Sequence, residues 1–212
     1  MKAGILVNGT ALPDRMTIDE IRGCDLILCT DGALAWALEA GVKPDVLIGD
    51  MDSIDPKLLE QYDRDTIEII RLPVQKDDTD AQAAVDLAME RGADTFIITG
   101  ALGGRLDHAM GNLMLLIRLM RRGKEAKMVD DQQVVMAAGS ETLLHGKPGG
   151  TISIIPFGDG LFIEKTEGLA YPIVHKSIPC DITLGISNVF TKTTASVSIT
   201  AGTAIIIMQK QA

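Results

Sequence analysis

From residue 3 to residue 130, short apolar segments alternate with longer amphipathic ones. The apolar segments have the length and the Ile, Leu and Val content of β-strands, and they cover residues 3–8, 25–30, 45–49, 66–71, 95–100 and 125–130. Most are apolar nearly throughout, which is typical of strands buried on both faces of a parallel sheet. Between them, apolar residues at spacings of three and four predict helices within residues 31–41, 79–92 and 105–123.

This alternation predicts an α/β fold, with an open, mostly parallel sheet and helices on both of its faces. The pattern changes after Gln132, where short β-branched segments are separated by Gly and Pro. One of these segments, "ASVSIT" at residues 195–200, alternates strictly with the two-residue period of a strand. We therefore expect an α/β nucleotide-binding domain over residues 1–125 and a smaller all-β sandwich domain over residues 126–212.

Charge and composition exclude several classes of partner. The net charge is −9 and the isoelectric point is near 4.8, whereas general binding to nucleic acid needs a basic face. The three cysteines, Cys24, Cys29 and Cys180, lack the spacing of metal ligands, which favours reduced thiols. The sequence shows no signal-peptide pattern and no apolar run near the ~18 residues of a membrane span. We expect a soluble cytoplasmic protein.

Polar clusters follow four of the predicted strands at the point where each strand ends. They are "TDGA" at residues 30–33, "GDMDSID" at 49–55, "LPVQKDDTD" at 72–80 and "GALGGRLDH" at 100–108. The carboxyl ends of parallel strands meet at one edge of an open sheet, and ligands bind at that edge. The sequence therefore predicts a binding site formed by these four loops.

The second cluster contains a pair of carboxylates that suits a hard cation. If Asp50 and Asp52 continue the strand, their side chains share one face with Cα atoms about 6–7 Å apart. Mg²⁺ usually takes one or two protein carboxylates together with phosphate oxygens of a substrate. An exposed turn is the alternative for this pair, and Asp55, which precedes Pro56, is expected to cap a helix.

The third and fourth clusters carry groups that favour phosphate. Asp77 or Asp78 can cap the following helix, but Lys76 beside them fits a helix N-terminus better if an anion lies there. In the last cluster Gly103 and Gly104 would allow the backbone to approach a ligand closely, and Arg105 could grip phosphate in bidentate fashion. The alternative is a tight turn with a solvated Arg105. His108 lies in the same cluster and is a candidate for contact with the nucleotide.

Taken in order, these stretches resemble the thiamine pyrophosphokinase family, in particular its bacterial members. The resemblance rests on residues 31–55 ("DGALAWALEAGVKPDVLIGDMDSID"), 73–88 ("PVQKDDTDAQAAVDLA") and 98–116 ("ITGALGGRLDHAMGNLMLL"), and on "GLAYPI" and "TLGISNVF" in the β-rich half. It implies transfer of a pyrophosphoryl group from ATP to thiamine, which gives thiamine diphosphate and AMP. It also implies a Mg²⁺-dependent homodimer with its active site at the subunit interface.

The resemblance also implies roles for individual residues. The carboxylates Asp50, Asp52 and Asp80 would hold Mg²⁺ and the phosphates, with Asp31 and Asp107 in the same pocket. The groups that would contact the phosphates are Lys76, Thr79 and Arg105, and Ser187 and Asn188 from the partner subunit would contact thiamine. Catalysis would then depend mainly on positioning and charge neutralisation, with an aspartate as the base.

Three positions depart from the family pattern. The chain has Ala33 where members usually have a second glycine, Gln82 where a glutamate is common, and Val189 where bacterial members often have glutamate. Two other functions fit the residues alone. One is a Mg²⁺-dependent phosphohydrolase that uses water as its nucleophile, and the other is a sensor that binds nucleotide or thiamine without turnover.

Overall fold

The structure, a computed structural model, describes residues 1–10, 12–54, 57–58, 67–75 and 77–210. The chain divides into two compact units. The first comprises Met1–Leu115 with Gly123–Asp131, and the second comprises Leu116–Arg122 with Gln132–Ala212. No helix within the described ranges is long and apolar enough to cross a membrane.

The first unit is built on a parallel sheet of six strands. In chain order these are β1 (Lys2–Leu6), β2 (Leu26–Thr30), β3 (Val46–Gly49), β4 (Glu68–Arg71), β5 (Thr95–Thr99) and β6 (Glu125–Val129). They lie in the order β6-β5-β1-β2-β3-β4, and every pairing is parallel. The central strands β1, β2 and β5 are buried except at Lys2 and Thr95, and Ile5, Leu28 and Ile97 are fully enclosed. This confirms the open parallel sheet predicted from the apolar segments.

Four helices have their bounds within the described residues of this part of the chain, and the last of them extends into the residues of the second unit. They are α1 (Arg15–Arg22), α2 (Leu34–Glu39), α3 (Asp80–Glu90) and α4 (Leu106–Arg121), and a 3₁₀ turn over Asp31–Ala33 leads into α2. Helix α1 was not predicted, because it is short and only three of its eight residues, Met16, Ile18 and Ile21, are apolar. The local signal for α1 is Asp14, whose carboxylate caps the helix by accepting from the N–H of Thr17 at 2.8 Å.

The second unit is antiparallel and β-rich, as expected. Its strands are β7 (Gln133–Ala138), β8 (Thr142–His145), β9 (Thr151–Glu167), β10 (Val174–Ile178), β11 (Asn188–Val189) and β12 (Thr194–Gln209). The strands β10, β9, β12 and β7 are neighbours in that order, while β8 pairs with β12 and β11 with β9. Register shifts between Ser198 and Thr203 interrupt the long β9–β12 pairing, which permits these strands to bend.

A separate hydrophobic core supports the second unit. The fully buried side chains of Ile152, Ile154, Ile163, Val197 and Ile206 belong to it. Buried residues alternate with more exposed ones along β9 and in the first part of β12, so one face of the strand is buried there, whereas Thr203–Ile206 of β12 are all buried. Within the described residues no helix follows Arg121, in agreement with the prediction.

The division between the units differs from the predicted boundary. A boundary between residues 125 and 126 would cut β6 after its first residue. The whole of β6 belongs to the first unit instead, because Thr95 to Thr99 of β5 pair in parallel with Glu125 to Val129. The apolar residues of β6 continue the core of the first sheet, with Met128 fully buried.

Candidate functional site

Loops that follow β1, β2, β3 and β5 meet at the carboxyl edge of the parallel sheet. A Cβ atom on Gly9 would lie 2.1 Å from the carbonyl oxygen of Gly100, and one on Gly32 would lie 2.3 Å from Nδ2 of Asn8. The backbone N–H of Met51, after β3, donates to Oδ2 of Asp31, after β2, at 3.0 Å. The sheet topology therefore brings together loops that are far apart in sequence.

Three aspartates form the centre of this edge. Asp31, Asp50 and Asp52 each offer a carboxylate oxygen, and these oxygens lie within 4.8 Å of one another. Asp31 is buried, Asp50 is half-buried and Asp52 is exposed. Asp50 and Asp52 do not continue the strand, because β3 ends at Gly49 and the turn considered as the alternative follows. The turn nevertheless brings the two carboxylates together.

Hydrogen bonds within the turn fix this arrangement. The N–H of Asp52 donates to Oδ1 of Asp50 at 3.1 Å, and Oγ of Ser53 donates to Oδ1 of Asp52 at 2.9 Å. Met51, between the two aspartates, has a φ angle of +68°, which a residue with a side chain seldom adopts. Asp55 lies outside the described residues.

Asp31 is the most enclosed carboxylate of the group, with 6% of its surface exposed. Its Oδ1 accepts from the N–H of Gly32 at 2.6 Å, and its Oδ2 accepts from the N–H of Met51. Burial raises the pKa of the Asp31 carboxyl, and the negative charge of Asp80 and a contact with Asp50 raise it further, against the lowering effect of these backbone bonds. Negative charge is therefore concentrated at this point of the sheet edge.

The donor set fits a hard divalent cation. Carboxylate oxygens are the ligands that Mg²⁺ prefers in proteins, and a cation between them would offset their mutual repulsion. The half-buried Asp80, at the start of α3, is close enough to Asp31 for its charge to raise the pKa of Asp31. The predicted carboxylates Asp50 and Asp52 thus lie around one point together with Asp31, and Asp80 interacts electrostatically with Asp31.

The start of α3 is capped by side chains of the "KDDTD" cluster. Oγ1 of Thr79 accepts from the N–H of Gln82 at 3.2 Å, so Thr79 is the N-cap residue, in place of the predicted Asp77 or Asp78. The side chain of Gln82 turns back and donates to the carboxylate of Asp78. Lys76 lies outside the described residues.

The glycine-rich loop after β5 presents charged groups to solvent. Gly103 and Gly104 have φ angles of +80° and +70°, which favour glycine. Nε and Nη2 of Arg105 donate to the two carboxylate oxygens of Asp107 at 3.1 and 2.6 Å. This pairing lowers the pKa of the Asp107 carboxyl to about 2. The side chains of Arg105 and Asp107 are 72% and 64% exposed, so a ligand can reach both. His108 beside them is exposed too.

Two residues of this edge were missed by the sequence reasoning. Asn112 of α4 is buried, and its Nδ2 donates to the carbonyl oxygen of Ala101 at 2.8 Å, which ties the helix to the glycine-rich loop. Asn8 follows β1 and contacts the turn at Gly32. The polar "NGT" after the first strand was a usable signal for Asn8, since β1 ends at the same edge.

In the second unit, Ser187 and Asn188 lie in and beside the short strand β11. Ser187 has a φ angle of +59°, and its N–H donates to Oγ of Ser153 at 3.1 Å. Asn188 is buried, with Oδ1 accepting from the N–H groups of Tyr171 and Val189 at 3.0 and 2.8 Å. Its Nδ2 donates to the carbonyl oxygen of Tyr171 at 2.6 Å. Asn188 therefore holds the backbone on both sides of Tyr171.

The position of Ala33 explains how one departure from the family pattern is tolerated. Ala33 is fully buried in the 3₁₀ turn, and its φ and ψ angles of −86° and −13° are those of ordinary helical backbone. A Cβ atom costs nothing in that conformation. The turn therefore does not require a second glycine. Val189 is half-buried in β11.

Comparison with known proteins identifies the relatives of the chain. Residues 19–128 match the family model "Thiamin pyrophosphokinase, catalytic domain", and residues 141–204 match "Thiamin pyrophosphokinase, vitamin B1 binding domain". The thiamine pyrophosphokinase of Bacillus subtilis is 29% identical over 179 residues, which cover 84% of each chain. Thiamine pyrophosphokinase 3 of rice, Oryza sativa subsp. japonica, is 28% identical over 174 residues, covering 77% of this chain and 65% of the rice protein.

Solved structures agree with the sequence matches. The thiamine pyrophosphokinase of Bacillus subtilis superposes with a TM-score of 0.88 at 25% identity over the full length of both chains. The protein from Geobacillus thermodenitrificans gives a TM-score of 0.86 at 27% identity, covering 100% of this chain and 99% of that one. The family models match the two halves in the order of the two units. The chain therefore belongs to the thiamin pyrophosphokinase family.

Proposed function

We propose that this protein transfers the pyrophosphoryl group of ATP to the hydroxyl group of thiamine, giving thiamine diphosphate and AMP. The observation that carries the proposal is the convergence of three carboxylates, from the loops after β2 and β3, on one point of the sheet edge. Membership of the family selects this reaction among those that a cation and phosphate site can support.

Asp50, Asp52 and Asp80 are the residues that would hold Mg²⁺. When bound, Mg²⁺ neutralises the charge that phosphate oxygens carry and develop during transfer. On the protein side, Arg105 and Lys76 bind the phosphates, Thr79 donates to them, and Gly103 and Gly104 let the backbone approach. Arg105 can exchange Asp107 for phosphate because both side chains of that ion pair are exposed.

The thiamine hydroxyl must lose its proton as it attacks, and the carboxylates of this edge are the bases available to accept it. Asp31 is already engaged by two backbone N–H groups, which leaves the more exposed aspartates for this role. The acidic edge also favours the permanently positive thiazolium ring of thiamine. Ser187 and Asn188 of the partner subunit contact thiamine in a cytoplasmic homodimer.

The test is to incubate purified protein with ATP, Mg²⁺ and thiamine and to identify the products by mass spectrometry. Thiamine diphosphate and AMP should appear together, and EDTA should abolish both. An Asp52→Asn variant should lose the products, while Asp159→Asn, at an exposed position of β9, should retain them. ADP or orthophosphate formed without any change to thiamine would refute the proposal in favour of hydrolysis. Binding of ATP and thiamine without turnover would refute it in favour of a sensor.

A further inference from the structure

We propose that Asp31 is a positioning residue, whose carboxylate fixes the backbone of the turn at Met51 so that Asp50 and Asp52 face one cation. This inference rests on the proposed function for the identity of the cation, and otherwise on the geometry of residues 31–53. It assigns Asp31 a role different from that of a third metal ligand.

The hydrogen bonds of Asp31 are the first support. Each of its two carboxylate oxygens already accepts a backbone N–H, from Gly32 at 2.6 Å and from Met51 at 3.0 Å. The side chain is almost fully buried, so these bonds are shielded from competition by water. One carboxylate therefore joins the loop after β2 to the loop after β3.

The backbone of Met51 is the second support. A φ angle of +68° is unfavourable for a residue with a Cβ atom, and such a conformation persists only where the surroundings impose it. The bond from the Met51 N–H to Asp31 is the described contact that holds this residue. Because Asp50 and Asp52 flank Met51, its backbone conformation sets the directions of both side chains.

The space around Asp31 is the third support. A Cβ atom on Gly49 would lie 2.6 Å from Cγ of Asp31, and Gly49 has a φ angle of +158°. The last residue of β3 must therefore be a glycine for the Asp31 carboxylate to reach Met51. If Asp31 served only as a ligand of the cation, its carboxylate would not need to lie this close to the backbone at Gly49.

A rescue experiment separates positioning from ligation. Mn²⁺ binding to metal-free protein is measured by electron paramagnetic resonance for the wild type, Asp31→Asn, Met51→Gly and the double variant. Asp31→Asn should raise the Kd for Mn²⁺ by about tenfold or more, because an amide group cannot accept from both N–H groups. Met51→Gly alone should change the Kd by less than about threefold.

The double variant decides the question. Glycine adopts a φ angle of +68° without a Cβ penalty, so the turn needs less support from Asp31. The double variant should regain at least about threefold of the lost affinity. No recovery would overturn the proposal, because the removal of a ligand or of its charge cannot be offset by backbone relaxation at Met51.

Amide exchange gives a test without any metal. In ¹⁵N-labelled wild type, the Met51 N–H should exchange at least about tenfold more slowly than in Asp31→Asn. Gly49→Ala keeps every charge but displaces the carboxylate, and it should accelerate exchange at Met51 and weaken Mn²⁺ binding together. Fast exchange at Met51 in the wild type would overturn the inference. Neither assay contains ATP or thiamine, so a failure of the proposed reaction would leave both results interpretable.

Discussion

Replacing Asn188 by alanine is expected to destabilise the second unit through the loss of three hydrogen bonds. The side chain accepts from the N–H groups of Tyr171 and Val189 and donates to the carbonyl oxygen of Tyr171. A net contribution of about 0.5–1.5 kcal/mol for each bond gives a decrease of about 1.5–4.5 kcal/mol in the free energy of unfolding. For a chain of this length, that corresponds to a melting temperature lower by about 3–18 °C.

The assay is urea denaturation followed by circular dichroism, with the thiamine KM measured in parallel. Asn188→Asp serves as the matched control, because it preserves the volume and the two acceptor bonds but lacks a donor for Tyr171 when ionised. The introduced carboxyl would be buried and would face the carbonyl oxygen of Tyr171, and both effects raise its pKa. The Asn188→Asp variant should therefore become more stable, relative to the wild type, as the pH falls through that raised pKa.

The stability measurement can refute this reasoning. A loss of less than about 1 kcal/mol in Asn188→Ala would show that the three bonds contribute little. Unchanged stability together with a large increase in the thiamine KM would show that Asn188 acts only through its contact with thiamine and does not support the backbone of Tyr171. The expected result is a clear loss of stability, with the thiamine KM rising as the backbone of Tyr171 loosens.

Three further predictions concern the sheet edge. Asp52→Ala should abolish turnover and leave the circular dichroism spectrum unchanged, because Asp52 is exposed; near-normal activity would contradict the metal assignment. Arg105→Gln should raise the ATP KM and return the pKa of Asp107 from about 2 towards its ordinary value of 3.8, observed by ¹³C NMR titration. The ion pair stabilises the native protein at pH values above 3.8, and this stabilisation is lost as the pH falls through about 2. An unchanged pKa of Asp107 in the variant would contradict the pairing. Asn112→Leu should lower the free energy of unfolding by about 1–3 kcal/mol, measured by urea denaturation, since it leaves the buried carbonyl of Ala101 without its donor. An unaltered midpoint would show that this bond contributes nothing.

Much of the parallel sheet could be predicted from the sequence, for a simple reason. Strands buried on both faces must be apolar at nearly every position, so β2, with five buried residues out of five, stands out in the chain. Helix α1 was missed because it buries little surface, and its N-cap Asp14 was not recognised as a signal. The positions of apolar residues in a sequence reflect burial, so an element that buries few residues has few apolar positions by which it can be recognised.

The candidate site could be predicted as a set of loops but not as a geometry. The rule that ligands bind at the carboxyl ends of strands placed Asp50, Asp52 and Arg105 at one edge. The resemblance placed Asp31 and Asn188 in the binding site, and only the structure shows that their side chains also hydrogen-bond to backbone groups. Asp31 lies in a 3₁₀ turn and Asn188 in a strand of two residues, where no periodicity indicates the direction of a side chain.

The sequence by itself determined the strands of the parallel sheet and the helices α2, α3 and α4, the change from α/β to β-rich structure, and which chemical groups follow several of these strands. These properties depend on local burial and residue type, and both can be read from the residues of each segment alone. Only the tertiary structure decided that the Asp31 carboxylate reaches the N–H of Met51 across two loops, and that Asn112 ties α4 to Ala101. Such contacts join residues distant in sequence, and their geometry follows from strand order and backbone conformation.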